Sequence, residues 1–251
     1  MTGVAGRVAL VTGGSRGIGR GAAEILAECG ARVMCVSRSE QDLAAVGLDY
    51  SVADLGTMEG CVHAVADTEQ RLGPVEILIC NHGLGSADER IVWEQDPELW
   101  AETMRVNLDG PFHLSRLALR GMVARRYGRI VYTSSTAGLV AEHASCAYNS
   151  SKHGLLGLMR SVALDAGPFG VTSNAVLPGW VRTEMAERSA QQEARSRSIA
   201  VDQVWEERAA LYPAGRVPTV KEVAETIAFL ASDQASGISG EAIKVALGSV
   251  W

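Results

Sequence analysis

Short apolar runs alternate along the chain with longer stretches in which apolar residues recur every three or four positions. RVALVTG (7–13), ARVMCVS (31–37), DYSVADL (49–55), VEILICN (75–81), GRIVYTSS (128–135), GVTSNAVLPG (170–179) and EAIKVAL (241–247) read as seven strands. Helical patterns cover 17–29, 58–72, 97–127, 147–166 and 219–232, the last opened by Thr219 with Glu222 three residues on, a capping-box pattern. The strands are apolar on both faces rather than alternating, as strands central to a parallel sheet covered by helices are. Strand–helix alternation therefore predicts an α/β fold, a doubly wound parallel sheet. Residues 183–212 differ in character: polar, charged and weakly amphipathic, they read as a helical flap outside the sheet. No repeat or low-complexity linker divides the chain, so 1–251 reads as one domain.

Composition supports this. At 251 residues, 47% hydrophobic and 21% charged, the chain is long enough for a sizeable core. The net charge is −6 and no basic block resembles a phosphate-backbone footprint, so no nucleic-acid partner is expected. Arg125, Arg126 and Arg129 read as a solvated helix end. The five cysteines form no C-x-x-C pair, and Cys35 and Cys80 lie in apolar runs as core residues, which suits a reducing cytoplasm. No signal peptide or membrane span is evident. His63, His82, His113, His143 and His153 show no metal-ligand spacing, so no metal is expected.

Chemistry enters at the first strand–helix junction. LVTGGSRGIGRGAAEIL places Gly13, Gly17 and Gly19 between the first strand and the first helix. Glycine there permits the tight turn and the close approach of backbone N–H groups to a pyrophosphate, and the helix N-terminus adds unpaired donors. The second strand ends in Ser37, Arg38 and Ser39 with no acid, and Arg16 lies in the glycine loop. An acid at that strand end would take the ribose 2′-OH of NAD; arginine and hydroxyls suit the 2′-phosphate of NADP(H).

With this loop, NHG at 81–83, Asn107, Ser135 and the Tyr-x-x-x-Lys of YNSSK in chain order, the sequence resembles the short-chain dehydrogenase/reductase family over essentially its whole length. The resemblance implies a seven-stranded Rossmann-type sheet, a nicotinamide cofactor and a homotetramer whose subunits meet through helices 97–127 and 147–166. It implies that Gly13, Ser15, Arg16 and Ile18 line the pyrophosphate and ribose, and that Asp54 and Leu55 flank the adenine. Asn81 and Gly83 match the family's N-A-G, with His82 in place of alanine. Pro178, Gly179 and Thr183 match P-G-x-x-x-T, which puts Thr183 at the nicotinamide carboxamide. Asn107 is implied to hold a water between Lys152 and solvent. Two departures stand out: a short second connection, with its helix clipped to a turn or two, and ALG (246–248) in place of D-G-G.

Tyr148 and Lys152 are four residues apart and share one helix face. A lysine ammonium near a phenol, whose free pKa is about 10, lowers that pKa and readies it for proton transfer. Lys152 is also implied to bond the nicotinamide ribose. Ser135, thirteen residues before Tyr148, can hydrogen-bond a substrate oxygen, while the adjacent Ser134 points to the other face of the strand. The expected reaction is hydride transfer between NADP(H) and a small-molecule ketone or secondary alcohol, with Tyr148 as general acid/base. His143, Trp180 and Met185 are candidate substrate contacts, with Val140 and Trp93 as further apolar wall. The hydroxybutyrate dehydrogenases that the Tyr148 region resembles grip a carboxylate with a histidine and a lysine; here Ala137 and Ser145 stand at those positions, which favours an uncharged or larger ketone. The alternatives are a 3-oxoacyl-carrier-protein reductase, with the three arginines meeting an acidic carrier, and a non-catalytic NADP-binding regulator.

Overall fold

The computed structural model describes residues 2–86 and 90–249. Its parallel seven-stranded sheet has the order β3-β2-β1-β4-β5-β6-β7. The strands are β1 (Val8–Thr12), β2 (Arg32–Ser37), β3 (Asp49–Val52), β4 (Ile77–Cys80), β5 (Gly128–Thr133), β6 (Val171–Pro178) and β7 (Ala242–Val245). Strand order reverses between β1 and β4, which opens a crevice at their carboxyl ends, the usual ligand position in such sheets. β1, β4, β5 and β6 are buried along their whole length, as their two-sided apolar sequences require.

Helices cover both faces. α1 (Gly17–Glu28) and α9 (Val220–Leu230) pack on one side, with Leu26, Ile79, Val131 and Ile227 at its centre. α3 (Met58–Arg71), α5 (Gly110–Arg125) and α6 (Cys146–Ala166) pack on the other, around Leu78, Leu114, Tyr132 and Met159. The second connection is a five-residue helix, α2 (Glu40–Ala44), capped by Ser39. The capping box between Thr219 and Glu222 is formed in full.

Three expectations change. The helical pattern over 97–127 forms two helices, α4 (Pro97–Met104) and α5, separated by a π turn at Arg105–Asp109 in which the Gly110 N–H reaches back to the Arg105 carbonyl. Pro111 supplies the reason: it has no N–H to give the Asn107 carbonyl, so α-helical pairing fails there. The third strand stops at Val52 because Asp54 turns the chain, accepting from the Gly56 N–H at 3.0 Å. Arg129 is not part of a solvated helix end. It lies within β5, only 5% exposed, pairs with Asp233 at 2.9 Å and stacks on Tyr127. Arg125 and Arg126 donate to the Val75 and Pro168 carbonyls.

The flap is two helices, α7 (Glu184–Arg197) and α8 (Val201–Ala210). Ala186, Ala190 and Ala194 present a small-residue stripe to Val204 and Trp205, which lets the two helices pack closely. Between them Arg208 is 4% exposed, stacked 3.6 Å from the Trp180 ring and paired with Glu193 at 2.9 Å. The segment is polar in sequence yet holds together around one neutralised, aromatic-stacked cation.

The glycine loop is packed with no slack. A Cβ at Gly19 would overlap the Gly13 carbonyl and the Asn81 side-chain amide. Gly19→Ala is expected to cost about 2 kcal/mol through overpacking and so to lower Tm by about 5 °C for a chain of this size. An unchanged melting curve would show that the loop has room.

Candidate active site

The carboxyl ends of β1, β4, β5 and β6 deliver the predicted residues to one crevice. Gly13 and Gly17 adopt φ of 63° and 55°, left-handed values that a side chain would strain. Arg16 at the N-cap of α1 gives no side-chain cap, so the first amides of that helix lack a side-chain acceptor. Ser15 is buried beside them and Ile18 is half-buried. Thr183 meets this loop from the far side: a Cβ at Gly17 would lie 3.3 Å from its methyl group. The Thr183 hydroxyl also caps α7 by accepting from the Ala186 N–H. Together these form a glycine-lined, amide-rich cradle that fits a nucleotide pyrophosphate.

The end of β2 carries Ser37 half-buried and Arg38 exposed. Among the described residues Arg38 makes no hydrogen bond or ion pair. Arg16 is engaged, 3.0 Å from Glu184 and 3.8 Å from Asp42. Asp54 follows β3 as a half-buried turn residue and Leu55 is buried behind it. Pro178 and Gly179 close β6, with Gly179 packed so tightly on Tyr212 that a Cβ there would overlap its hydroxyl.

At the end of β4, Thr12 ties two strands together. Its hydroxyl accepts from the Asn81 and His82 N–H groups at 2.9 and 3.2 Å and lies 2.9 Å from the Ile79 carbonyl. The His82 ring sits 2.8 Å from the same hydroxyl, and burial, helped by the charge of Lys152, holds its pKa down at about 4. It is a neutral, packed imidazole where the family pattern has a methyl group. Asn107, in the π turn, is 1% exposed. Its Oδ1 accepts from the Leu84 N–H at 2.7 Å; its Nδ2 donates to the Leu84 carbonyl at 3.0 Å and to Ser151 Oγ at 3.1 Å. The side chain pins the strand leaving β4 much as a neighbouring strand would. Gly83 lies inside this clamp, where a Cβ would stand 3.2 Å from Asn107 Oδ1 and 3.6 Å from Lys152 Nζ.

Ser135 extends β5 with its hydroxyl accepting from the Ala137 N–H at 3.1 Å and hydrogen-bonding the Tyr148 phenol. Ser134 faces the other way and donates to the Lys152 carbonyl. Lys152 is 5% exposed; its ammonium donates to the Thr133 carbonyl at 2.9 Å and stands 5.6 Å from the Tyr148 ring centroid. Burial dominates both titrating groups. It pushes the Tyr148 phenol up to about 12, against the pull of the Ser135 hydroxyl, with Glu142 adding to the rise. It pushes Lys152 down to about 8. The expected lowering of the tyrosine by the lysine is not what sets this phenol: burial raises it, only the Ser135 hydrogen bond pulls it down, and near neutral pH it keeps its proton.

The substrate candidates separate. His143 is exposed, and its carbonyl accepts from the Ser145 hydroxyl. Trp180 is stacked on Arg208 as flap packing. Met185, half-exposed, reaches across to Gly85, so the flap borders the loop that follows β4. Trp93 is 82% exposed and Val140 39%, so neither forms a closed apolar wall. In the loop after β4, residues 87–89 lie outside the described residues. Sequence reading passed over Glu142, which sits half-buried next to His143 and acts on Tyr148. The one signal for it was its place in the loop between Ser135 and Tyr148. Among the described residues no cluster of metal-ligating side chains exists, and no helix is long and apolar enough to cross a membrane.

Comparison with known proteins agrees with this geometry. A family model described as enoyl-(acyl carrier protein) reductase matches residues 13–249. The chain is 35% identical to the 3-oxoacyl-[acyl-carrier-protein] reductase FabG of Vibrio cholerae, over 96% of each chain. A solved actinorhodin polyketide ketoreductase variant with NADPH superposes with a TM-score of 0.89 at 31% identity, covering 99% of this chain and 98% of that one. A solved NAD+-bound xylitol dehydrogenase superposes at 0.91 and 27% identity, covering 98% and 99%.

The buried lysine makes a stability prediction. Its pKa falls from 10.5 in the unfolded chain to about 8 when folded. Between these values the unfolded chain binds more protons, so stability rises with pH across that window, and below it the cost of burying the ammonium is carried in full. Lys152→Met is expected to melt about 5 °C above the parent at pH 7, with the gap narrowing toward pH 10.5. A gap that does not change with pH would remove charge burial as its cause.

Proposed function

We infer the chemistry of this protein from its membership: the chain belongs to the short-chain dehydrogenase/reductase family and is an oxidoreductase acting on C=O and CH–OH groups. Its reaction, in our reading, is reversible hydride transfer between NADP(H) and a ketone or secondary alcohol. One observation carries it: a half-buried, protonated Tyr148 phenol hydrogen-bonded to Ser135, with the Lys152 ammonium 5.6 Å from its ring.

When bound, the nicotinamide cofactor supplies the hydride in reduction and accepts it in oxidation. The protein's part is to position and to move a proton. Ser135, hydrogen-bonded to the Tyr148 phenol, turns its hydroxyl proton to the substrate oxygen, where negative charge develops. Tyr148 gives that oxygen its proton, and the resulting phenolate is stabilised by the Lys152 ammonium nearby. Lys152 spends one donor on Thr133 and keeps two, which suit ribose hydroxyls. The residues that would hold the cofactor are the glycine loop with Ser15, Arg16 and Ile18, the adenine-side pair Asp54 and Leu55, Asn81 and Gly83 after β4, and Pro178, Gly179 and Thr183. Asn107 holds the Leu84 segment against them through its side-chain amide. For NADP(H) over NAD(H), the support is the unengaged guanidinium of Arg38 beside Ser37, with no acid at the end of β2, and the NADPH of the ketoreductase relative.

A carrier-linked 3-oxoacyl reductase is the second reading, supported by the Vibrio cholerae relative. The arginine cluster does not support it, because Arg129 is buried and ion-paired. A regulatory role without catalysis finds no support, since the serine, tyrosine and lysine are all in place. A homotetramer fits the exposed apolar side chains of Phe112 on α5 and Leu164 on α6. A cytoplasmic location fits five cysteines none of which is in a disulfide.

Tyr148→Phe is expected to cut kcat about 10²- to 10⁴-fold while leaving NADPH binding, followed by fluorescence titration, nearly unchanged; a variant that also loses NADPH would contradict the role. Arg38→Asp is expected to raise the NADPH KM about 10- to 100-fold, the worth of one charge-assisted contact, and to shift preference toward NADH. An unaltered NADPH/NADH ratio in steady-state assays would take Arg38 out of the phosphate site.

A further inference from the structure

Among the described residues, Glu142 is an acid beside the reactive tyrosine that the mechanism does not use. Its loop lies between Ser135 and Tyr148, and its backbone is held from both ends. The Glu142 N–H donates to Asn149 Oδ1 at 3.2 Å, and its carbonyl accepts from Asn149 Nδ2 at 2.7 Å. Asn149 is 7% exposed and follows Tyr148 directly on α6. Glu142 therefore cannot swing away without breaking two hydrogen bonds to a buried amide, and its side chain starts from a point fixed relative to the reactive phenol.

The carboxylate has no partner of its own: among the described residues it makes no hydrogen bond and no ion pair. Its neighbours bracket the crevice. It acts on Tyr148 on the α6 side and on Tyr212 on the flap side, adding to the rise that burial imposes on each phenol. The Tyr212 hydroxyl accepts from the Trp180 N–H at 2.6 Å and sits against Gly179, at the end of β6. Burial pushes the Glu142 carboxyl up, with Arg208 pulling it back. Arg208 does not neutralise it, because that guanidinium is spent on Glu193, Ser189 and the Ala186 carbonyl.

We propose that Glu142 is a specificity-determining residue that selects a neutral substrate carrying a hydroxyl close to the reacting carbonyl, a hydroxy ketone or the matching diol, and rejects carboxylates and phosphates. An ionised carboxyl only accepts, so it wants an O–H or N–H from the ligand. A half-buried, unpartnered acceptor gains most when a ligand donor replaces lost water. A second anion there meets like-charge repulsion. A neutral donor suits this acceptor better than a cationic one, because the Arg208 charge already acts on the carboxylate. This assignment rests on the reductase reading above and names its substrate class.

The test compares kcat/KM for acetoin, 2-butanone and acetoacetate in the parent, Glu142→Gln and Glu142→Leu. The acetoin-to-butanone ratio is expected to fall about tenfold or more in Glu142→Leu, mostly through KM for acetoin. Acetoacetate is expected to gain about tenfold on 2-butanone in Glu142→Gln, which removes the charge and keeps the shape. Ratios equal to the parent's in both variants would overturn the proposal. So would a uniform loss on all three ketones in Glu142→Gln, which marks a structural role. Should the parent reduce no ketone, calorimetric titration with butane-2,3-diol separates the two claims. Binding that weakens in Glu142→Gln and Glu142→Leu keeps the assignment while the reductase reading falls. Equal binding, or none, sinks the assignment as well.

Discussion

Two asparagine amides fix the reactive end of this sheet. Beyond the carboxyl ends of the strands the ladder hydrogen bonds stop, and the loops that must hold a cofactor and a substrate have no neighbouring strand to pair with. Asn107 supplies one, taking both the N–H and the carbonyl of Leu84. Asn149 repeats the device on the opposite wall, taking both backbone groups of Glu142. Each amide has a donor and an acceptor in one plane, the only side-chain group besides glutamine's that imitates a peptide unit in this way. Both are buried, so releasing either loop leaves unsatisfied polar groups out of water, which is costly.

The clamps depend in turn on helix geometry. Asn107 faces Leu84 because it lies in a π turn, and the π turn follows from Pro111, which has no N–H for the α-helical bond back to residue 107. Asn149 faces Glu142 because α6 places it directly after Tyr148, so the helix that carries the proton donor also fixes the loop in front of it. Ser151, three residues after Tyr148 on α6, ties the Asn107 clamp to that helix by accepting from Asn107 and donating to the Tyr148 carbonyl.

Burial in the same crevice moves the phenol and the ammonium in opposite directions, because desolvation opposes whichever form is charged. Tyr148 is thereby kept protonated and Lys152 is brought close to losing its proton. The thiols of Cys35 and Cys61 show the same force with no function attached: buried in the core, they rise to about 12 and are inert. What distinguishes the reactive pair is position, at the strand ends where Ser135, Gly83 and the glycine loop converge.

Much of this was legible in the sequence because it is local. Two-sided apolar strands, helical periodicity, the capping box at Thr219, the glycine triplet and the spacing of Ser135, Tyr148 and Lys152 are each set by residues within a turn or a strand of one another, and the sheet, its helices and the helical flap followed. The break at Arg105–Asp109 was also written locally, in Pro111, but a continuous amphipathic pattern masked it. Long-range partners decided the rest. Arg129 reads as a solvated cation in sequence, and only Asp233, 104 residues on, makes it a buried ion pair beside the neighbouring Tyr127 ring. His143 and Glu142 are adjacent and equally polar in sequence, and only the folded loop leaves the acid half-buried while the imidazole is exposed. The sequence by itself determined which chemistry the chain carries, since side-chain types and their spacing survive unfolding. Only the tertiary structure decided the balance of charge and burial that tunes it, because desolvation and pairing depend on neighbours that backbone periodicity does not name.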